Sequence, residues 1–150
     1  MTSLLIFAAT QATFLAPASV DSLMTAIRTV ETNGRSDVVG DGGRAIGPYQ
    51  IHYGYWKDSG VKGRWEQCRN RPYAERVMRA YWRRYCPKAL ASGDWRTLAR
   101  VHNGGPRGHL RGTTYKYWSR VCAKLKRPSA KQQGKLRTAP KPRKEPRRGK

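Results

Sequence analysis

Residues 33–47, NGRSDVVGDGGRAIG, hold five glycines and two aspartates, a composition that favours turns over a helix. The fold must therefore carry a loop-rich lobe early in the chain, with either a short β-hairpin or irregular structure. Its flanks read differently. Upstream, Val20, Leu23, Met24, Ile27 and Val30 recur at three- and four-residue spacing, which predicts an amphipathic helix with Ser19 or Asp21 as N-cap and Gly34 as its stop. Downstream, Pro48-Tyr49-Gln50-Ile51 leads into an aromatic cluster, Tyr53, Tyr55 and Trp56, and a turn at Ser59 to Gly63. A second helix is expected from Pro72 to about Tyr85, with Val77, Ala80, Tyr81 and Tyr85 on its apolar face and Pro87 ending it. Asp94 can cap a third helix through Arg100, burying Leu98, Ala99 and Val101, before His102-Asn103-Gly104-Gly105-Pro106 breaks the chain. A fourth helix is expected from roughly Thr113 to Ala123. The class is α+β, mainly α, in one domain spanning residues 19–123.

The two ends have other compositions. Residues 1–18 contain no Lys, Arg, Asp or Glu, carry the apolar patch Leu4–Ala9 and close on Ala16-Pro17-Ala18, so they read either as a signal peptide or as an N-terminal extension packed on the body. Residues 124–150 carry 12 of the 31 Lys and Arg, one of the nine acidic residues, four prolines and no aromatic side chain, and are expected to be disordered. The formal charge of +22 favours polyanionic partners, such as anionic envelope polymers or nucleic acid, for tail and body alike. No apolar run approaches the roughly 20 residues of a membrane-crossing helix. Cys68, Cys86 and Cys122 form neither a CxxC pair nor a cluster with histidines, so no structural zinc site, metal or cofactor is expected. A monomer is the expected state.

Glu31 falls at the C-terminal end of the first helix, beside its apolar face. Desolvation and the negative end of the helix dipole both disfavour a charged carboxylate there, which suits a general acid. The alternative is a solvated glutamate paired with Arg28 or Arg35. Ten residues on, Asp41 stands among Gly40, Gly42 and Gly43 in a polar, solvated setting. Two carboxyls in contrasting surroundings are what glycoside hydrolysis requires, one as proton donor and one as nucleophile or stabiliser. Asp37 competes for the second role, and either aspartate could instead be an ordinary turn residue.

Taken together, Glu31-Thr32-Asn33-Gly34, the acidic turn, Gly47-Pro48-Tyr49-Gln50-Ile51, Tyr55-Trp56-Lys57-Asp58, the run Ala99-Arg100-Val101-His102-Asn103-Gly104-Gly105-Pro106 and the segment Tyr115–Trp118 resemble the invertebrate-type lysozymes, also called the destabilase family. The resemblance covers about residues 20–123 and implies a small lysozyme-like domain with muramidase activity on the peptidoglycan of bacterial walls, in a secreted, periplasmic or envelope setting. Glu31 matches the family's proton donor and Asp41 its second carboxylate, although the loop before Gly47 is about one residue shorter. Tyr49, Gln50, Tyr55, Trp56, His102, Asn103 and Gly104 lie in motifs that line the family's saccharide cleft. Core packing is the competing role for Tyr55 and Trp56, and a purely structural role for His102. The chain departs from the family in having few cysteines: His109 stands where a cysteine is expected, and Cys68 and Cys86, flanking the second helix, are the pair that could bridge. No residue is carried over for the isopeptidase activity described for some relatives. Two rivals remain: a lytic transglycosylase with Glu31 as sole catalytic acid, and a noncatalytic basic protein that binds nucleic acid or envelope polymer. Arg69, Arg71, Arg76, Arg79, Arg83 and Arg84, on and before the second helix, suit an anionic envelope or form a solvated helix face.

Overall fold

The structure, a computed structural model, describes residues 19–125. The expected leader at residues 1–18 and nearly all of the expected basic tail lie outside them. Lys124 and Leu125, assigned to that tail by composition, instead form the last two residues of a helix.

The first helix, α1 (Val20–Thr32), starts where Ser19 accepts the Ser22 N–H at 3.2 Å, with Asp21 placed favourably in the first turn. It ends one residue before the expected glycine, because Asn33 itself takes the left-handed conformation (φ 53°) and returns its N–H to α1 carbonyls. The lobe that follows is a three-stranded antiparallel sheet in the order β1 (Val39–Gly40), β2 (Ala45–Ile46), β3 (Ile51–His52), with a 3-10 turn over Asp41–Gly43 joining the first two strands. Register places Gly40 opposite Ala45 and Ala45 opposite His52. Gly47 pins this lobe to the body. Its φ is 75°, and a Cβ there would stand 2.2 Å from the Cys68 carbonyl oxygen, so only glycine lets the two segments meet.

The remaining body is helical: α2 (Tyr53–Ser59), α3 (Arg71–Tyr85), α4 (Pro87–Ser92), α5 (Trp95–Gly104) and α6 (Thr114–Leu125). Three of these differ from expectation. The aromatic cluster forms a helix, α2, because Tyr55 and Trp56 pack inward while Gly60 (φ 70°) closes it. Pro87 does end α3, but as the first residue of α4, where its missing N–H is not needed. The third expected helix continues through His102 and Asn103 to Gly104, and the break comes at Gly105 (φ 77°).

One core joins these helices. Leu23, Met24 and Ile27 of α1 meet Val77, Met78 and Trp82 of α3, Leu98 and Val101 of α5 and Val121 of α6, all with almost no exposed surface. Trp82 also donates its indole N–H to the Leu98 carbonyl at 3.1 Å, so the largest core side chain leaves no polar atom unsatisfied. Arg79 and Asp21 form an ion pair that ties α3 to α1 at the surface. Cys68 and Cys86 are buried free thiols rather than a disulfide. Burial pushes them up to about 12 and about 11, so neither is a ready nucleophile. Among the described residues no helix is long and apolar enough to cross a membrane.

Candidate active site

The end of α1, the sheet lobe and the second half of α5 enclose a cleft of about 260 Å³ lined by Glu31, Asp41, Ala45, Gln50, His52, His102 and Asn103. Each element supplies a different chemistry. α1 delivers Glu31, the 3-10 turn delivers Asp41, strands β2 and β3 deliver Ala45 and His52, the turn between them delivers Gln50, and the extra turn of α5 delivers His102 and Asn103.

The Glu31 side chain is only 19% exposed. The Tyr117 hydroxyl, on α6, donates to its Oε1 at 2.6 Å, and Nε2 of His102 lies 3.7 Å from the same oxygen. Burial raises the Glu31 pKa above the ordinary carboxylate value; the Tyr117 hydrogen bond and the charge of Arg120 pull the other way without cancelling it. Arg120 is held close by donating to the Val30 carbonyl at 3.1 Å. The alternative partner Arg28 is turned away and donates to the Gly34 carbonyl. Glu31 is thus a half-hidden acid, with one oxygen occupied by a phenol.

His102 is more buried still, with 4% of its side chain exposed. Burial pushes its pKa down to about 4 against an opposing hydrogen bond to the Tyr49 backbone, so near neutral pH it is uncharged and its approach to Glu31 is not an ion pair. Its Nδ1 lies 3.4 Å from the Tyr55 hydroxyl.

Asp41 contrasts with Glu31. Its side chain is 46% exposed, its backbone is left-handed (φ 50°), and its two oxygens face Nη2 of Arg44 at 2.7 Å and Nε2 of His52 at 3.4 Å. Arg44 also donates through Nε to the Asp41 carbonyl at 3.0 Å, which clamps the turn. Asp37, the competing aspartate, is exposed and does not line the cleft.

The other sequence candidates divide. Gln50, itself left-handed (φ 49°), lines the cleft while its amide donates to the Val38 and Gly47 carbonyls. Asn103 lines it and is exposed. Tyr49 is fully buried, its hydroxyl donating to Glu75 at 2.6 Å, and does not reach the cleft. Tyr55 stacks on Tyr81 with ring centroids 3.6 Å apart, and Trp56 donates to the Tyr73 hydroxyl at 2.8 Å; both are partly buried packing residues outside the lining. Gly104 serves the α5–α6 contact, since a Cβ there would come within 2.7 Å of Thr114. Two residues escaped sequence reasoning. His52 follows the Gly-Pro-Tyr-Gln-Ile segment directly, and Tyr117 sits in the Tyr115–Trp118 segment but lies 86 positions from the glutamate it touches.

A helical body, a small antiparallel sheet and one carboxyl from each facing a shared cleft define a lysozyme-like protein. Two solved structures agree: an inhibitor-bound lysozyme from Meretrix lusoria (TM-score 0.58, 30% identity, covering 69% of this chain and 88% of that one) and the Tapes japonica lysozyme (TM-score 0.59, 28% identity, 67% and 85%). The profile of the Destabilase family matches residues 21–123, and the chain belongs to this family, that of the invertebrate-type lysozymes. Among its relatives, "Lysozyme 1" of Crassostrea virginica is 40% identical over 81 residues, which is 53% of this chain and 44% of that protein. The lysozyme of Ostrea edulis is 39% identical over 84 residues, 53% of this chain and 61% of that protein. The chain thus spans only about half the length of these curated relatives.

Proposed function

We propose that the protein is a muramidase, hydrolysing the β-1,4 bond between N-acetylmuramic acid and N-acetylglucosamine in bacterial peptidoglycan, with residues 19–123 as its catalytic unit and a secreted or envelope site of action. The observation that carries this reading is the pair of unlike carboxyls in one cleft, Glu31 buried with its proton favoured and Asp41 half-exposed between the Arg44 guanidinium and the His52 ring. In this reading Glu31 passes its proton to the glycosidic oxygen as the bond breaks, and Asp41 attacks or stabilises the anomeric carbon. Glu31 then takes a proton from the water that completes hydrolysis. The neutral state of His102 belongs to the same logic, since a cation 3.7 Å from Glu31 would favour the ionised carboxylate and leave it without a proton to transfer. The Gln50 amide oxygen offers an acceptor, its two N–H groups being spent on Val38 and Gly47, and the Asn103 amide offers a donor and an acceptor to sugar hydroxyl and acetamido groups.

The test is mass spectrometry of purified peptidoglycan after incubation with the wild-type chain and with Glu31→Gln. Reducing-end muropeptides that appear only with the wild type are the expected result. Ends in 1,6-anhydro form would instead make the protein a lytic transglycosylase. Intact strands from both would leave a basic binding protein on a lysozyme-like scaffold.

A further inference from the structure

We infer that a basic ledge beside the cleft, built by Arg96 and Arg100 over Tyr115 with Arg111 next to Arg100, receives the carboxylates of the peptide stems that a peptidoglycan strand carries; the inference rests on the muramidase reading above. Arg96, Arg100 and Asn103 stand four and three positions apart on α5, so they share one face of it. Asn103 lines the cleft, and at helical rise Arg100 follows about 5 Å and Arg96 about 10 Å further along the same face. Arg111 joins them from the loop before α6, its Cδ 4.0 Å from the place a Cβ on Gly104 would take.

Arg100 is the unusual member. It is 5% exposed, its Nε donates to Thr114 Oγ1 at 2.8 Å and its Nη2 to the Arg111 carbonyl at 2.9 Å, so its hydrogen-bond partners are neutral. A buried cation ordinarily meets a carboxylate. Even the more exposed Arg44, Arg71 and Arg79 each pair with one, whereas no ion pair among the described residues involves Arg96, Arg100 or Arg111. The guanidinium carbons of Arg100 and Arg96 lie 3.9 and 4.9 Å from the ring centroid of Tyr115, which is 47% exposed. Asp94, the N-cap of α5, is close enough to Arg96 to interact with its charge and offsets part of it. What remains is a positive field that Asp94 offsets only in part, beside an accessible aromatic ring.

The position selects the ligand. A ledge that follows Asn103 along α5, away from the cleft, is placed to meet substituents of a polymer lying in the cleft, and the peptide stems of peptidoglycan are its acidic substituents. The exposed guanidinium forks of Arg96 and Arg111 suit carboxylates in paired hydrogen bonds, the buried Arg100 adds its charge from beneath, and the exposed ring gives the aliphatic parts of a peptide a surface.

The experiment uses the full chain with Glu31→Gln, so that binding is read without turnover, and the same chain with Arg96→Gln and Arg111→Gln added, both at exposed positions. Calorimetric titration at fixed low ionic strength compares glycan oligomers carrying intact stems with the same oligomers after an amidase has removed the stems, leaving the lactyl carboxylate on the sugar. The expected result is roughly three- to tenfold weaker binding of the stem-bearing oligomers and unchanged binding of the stripped ones, as two rim charges allow. Equal losses on both ligands, or none on either, would overturn the inference. So would a loss confined to a phosphodiester polymer such as teichoic acid, run as a third ligand. If the parent chain binds neither glycan, the muramidase reading itself fails and the ledge falls with it, an outcome distinct from the others.

Discussion

Tyr117 of α6 donates its hydroxyl proton to Oε1 of Glu31 at 2.6 Å, across 86 residues of sequence. The bond leaves Oε2 of Glu31 as the oxygen free to carry the transferable proton. It also favours the charged carboxylate, moderating the rise that burial imposes. Tyr117→Phe should therefore lower kcat and move the alkaline limb of the kcat/KM profile to higher pH. A limb that moved down, or stayed while activity fell, would show that Tyr117 acts only through packing.

Glu31→Gln removes the proposed acid and should lower kcat by about 10²- to 10⁴-fold. It should also stabilise the fold near neutral pH. The raised pKa means that the folded state binds the proton more tightly than the unfolded one, so stability is full at pH values below the unfolded carboxylate pKa and is lost as pH rises through the folded one. Glutamine avoids that loss. Urea unfolding at pH 7 and pH 3.5 checks it, with the variant ahead at the first and level at the second.

His102 titrates in the opposite sense. Its pKa is about 4 in the fold against 6.5 for an ordinary histidine, so the unfolded chain binds more protons between these values and stability falls as pH drops through that window. The shift corresponds to on the order of 3 kcal/mol at full development. His102→Gln should flatten that part of the stability curve between pH 7 and pH 4, measured by urea unfolding.

Asp41→Asn keeps the size of the side chain and removes its charge from between Arg44 and His52. Under the hydrolase reading most activity on peptidoglycan disappears while the thermal midpoint changes little, because the pairs are solvent-exposed. Retained turnover with anhydro products would favour the transglycosylase.

Gly47→Ala should destabilise the protein by roughly 1–3 kcal/mol, since the φ of 75° disfavours a Cβ and the Cys68 carbonyl occupies its place. The lobe carrying Asp41 and Gln50 hangs on that contact. Activity should fall further than the unfolding midpoint measured in urea accounts for.

Much of this molecule is written in short stretches of chain. The period of Val20, Leu23, Met24, Ile27 and Val30 announced α1, Pro72 and Asp94 marked helix starts to within a residue, and the glycines around Asp41 announced the lobe. The errors were local ambiguities settled by packing. Pro87 both closes α3 and opens α4, and the run from His102 to Gly104 stays helical with His102 buried at the floor of the cleft.

The sequence by itself determined the family, the helical body, the turn-rich lobe and the position of Glu31 at a helix end, because caps, periodicity and motifs act over a few residues. Only the tertiary structure decided which side chains meet. Tyr117 with Glu31, His52 with Asp41 and His102 with Tyr55 come from elements far apart in the chain, and Tyr49, Tyr55 and Trp56 were taken by the core rather than the cleft. Such contacts, and the desolvation that sets Glu31 and His102 apart from exposed residues of the same type, exist only once separate helices have excluded water from between them.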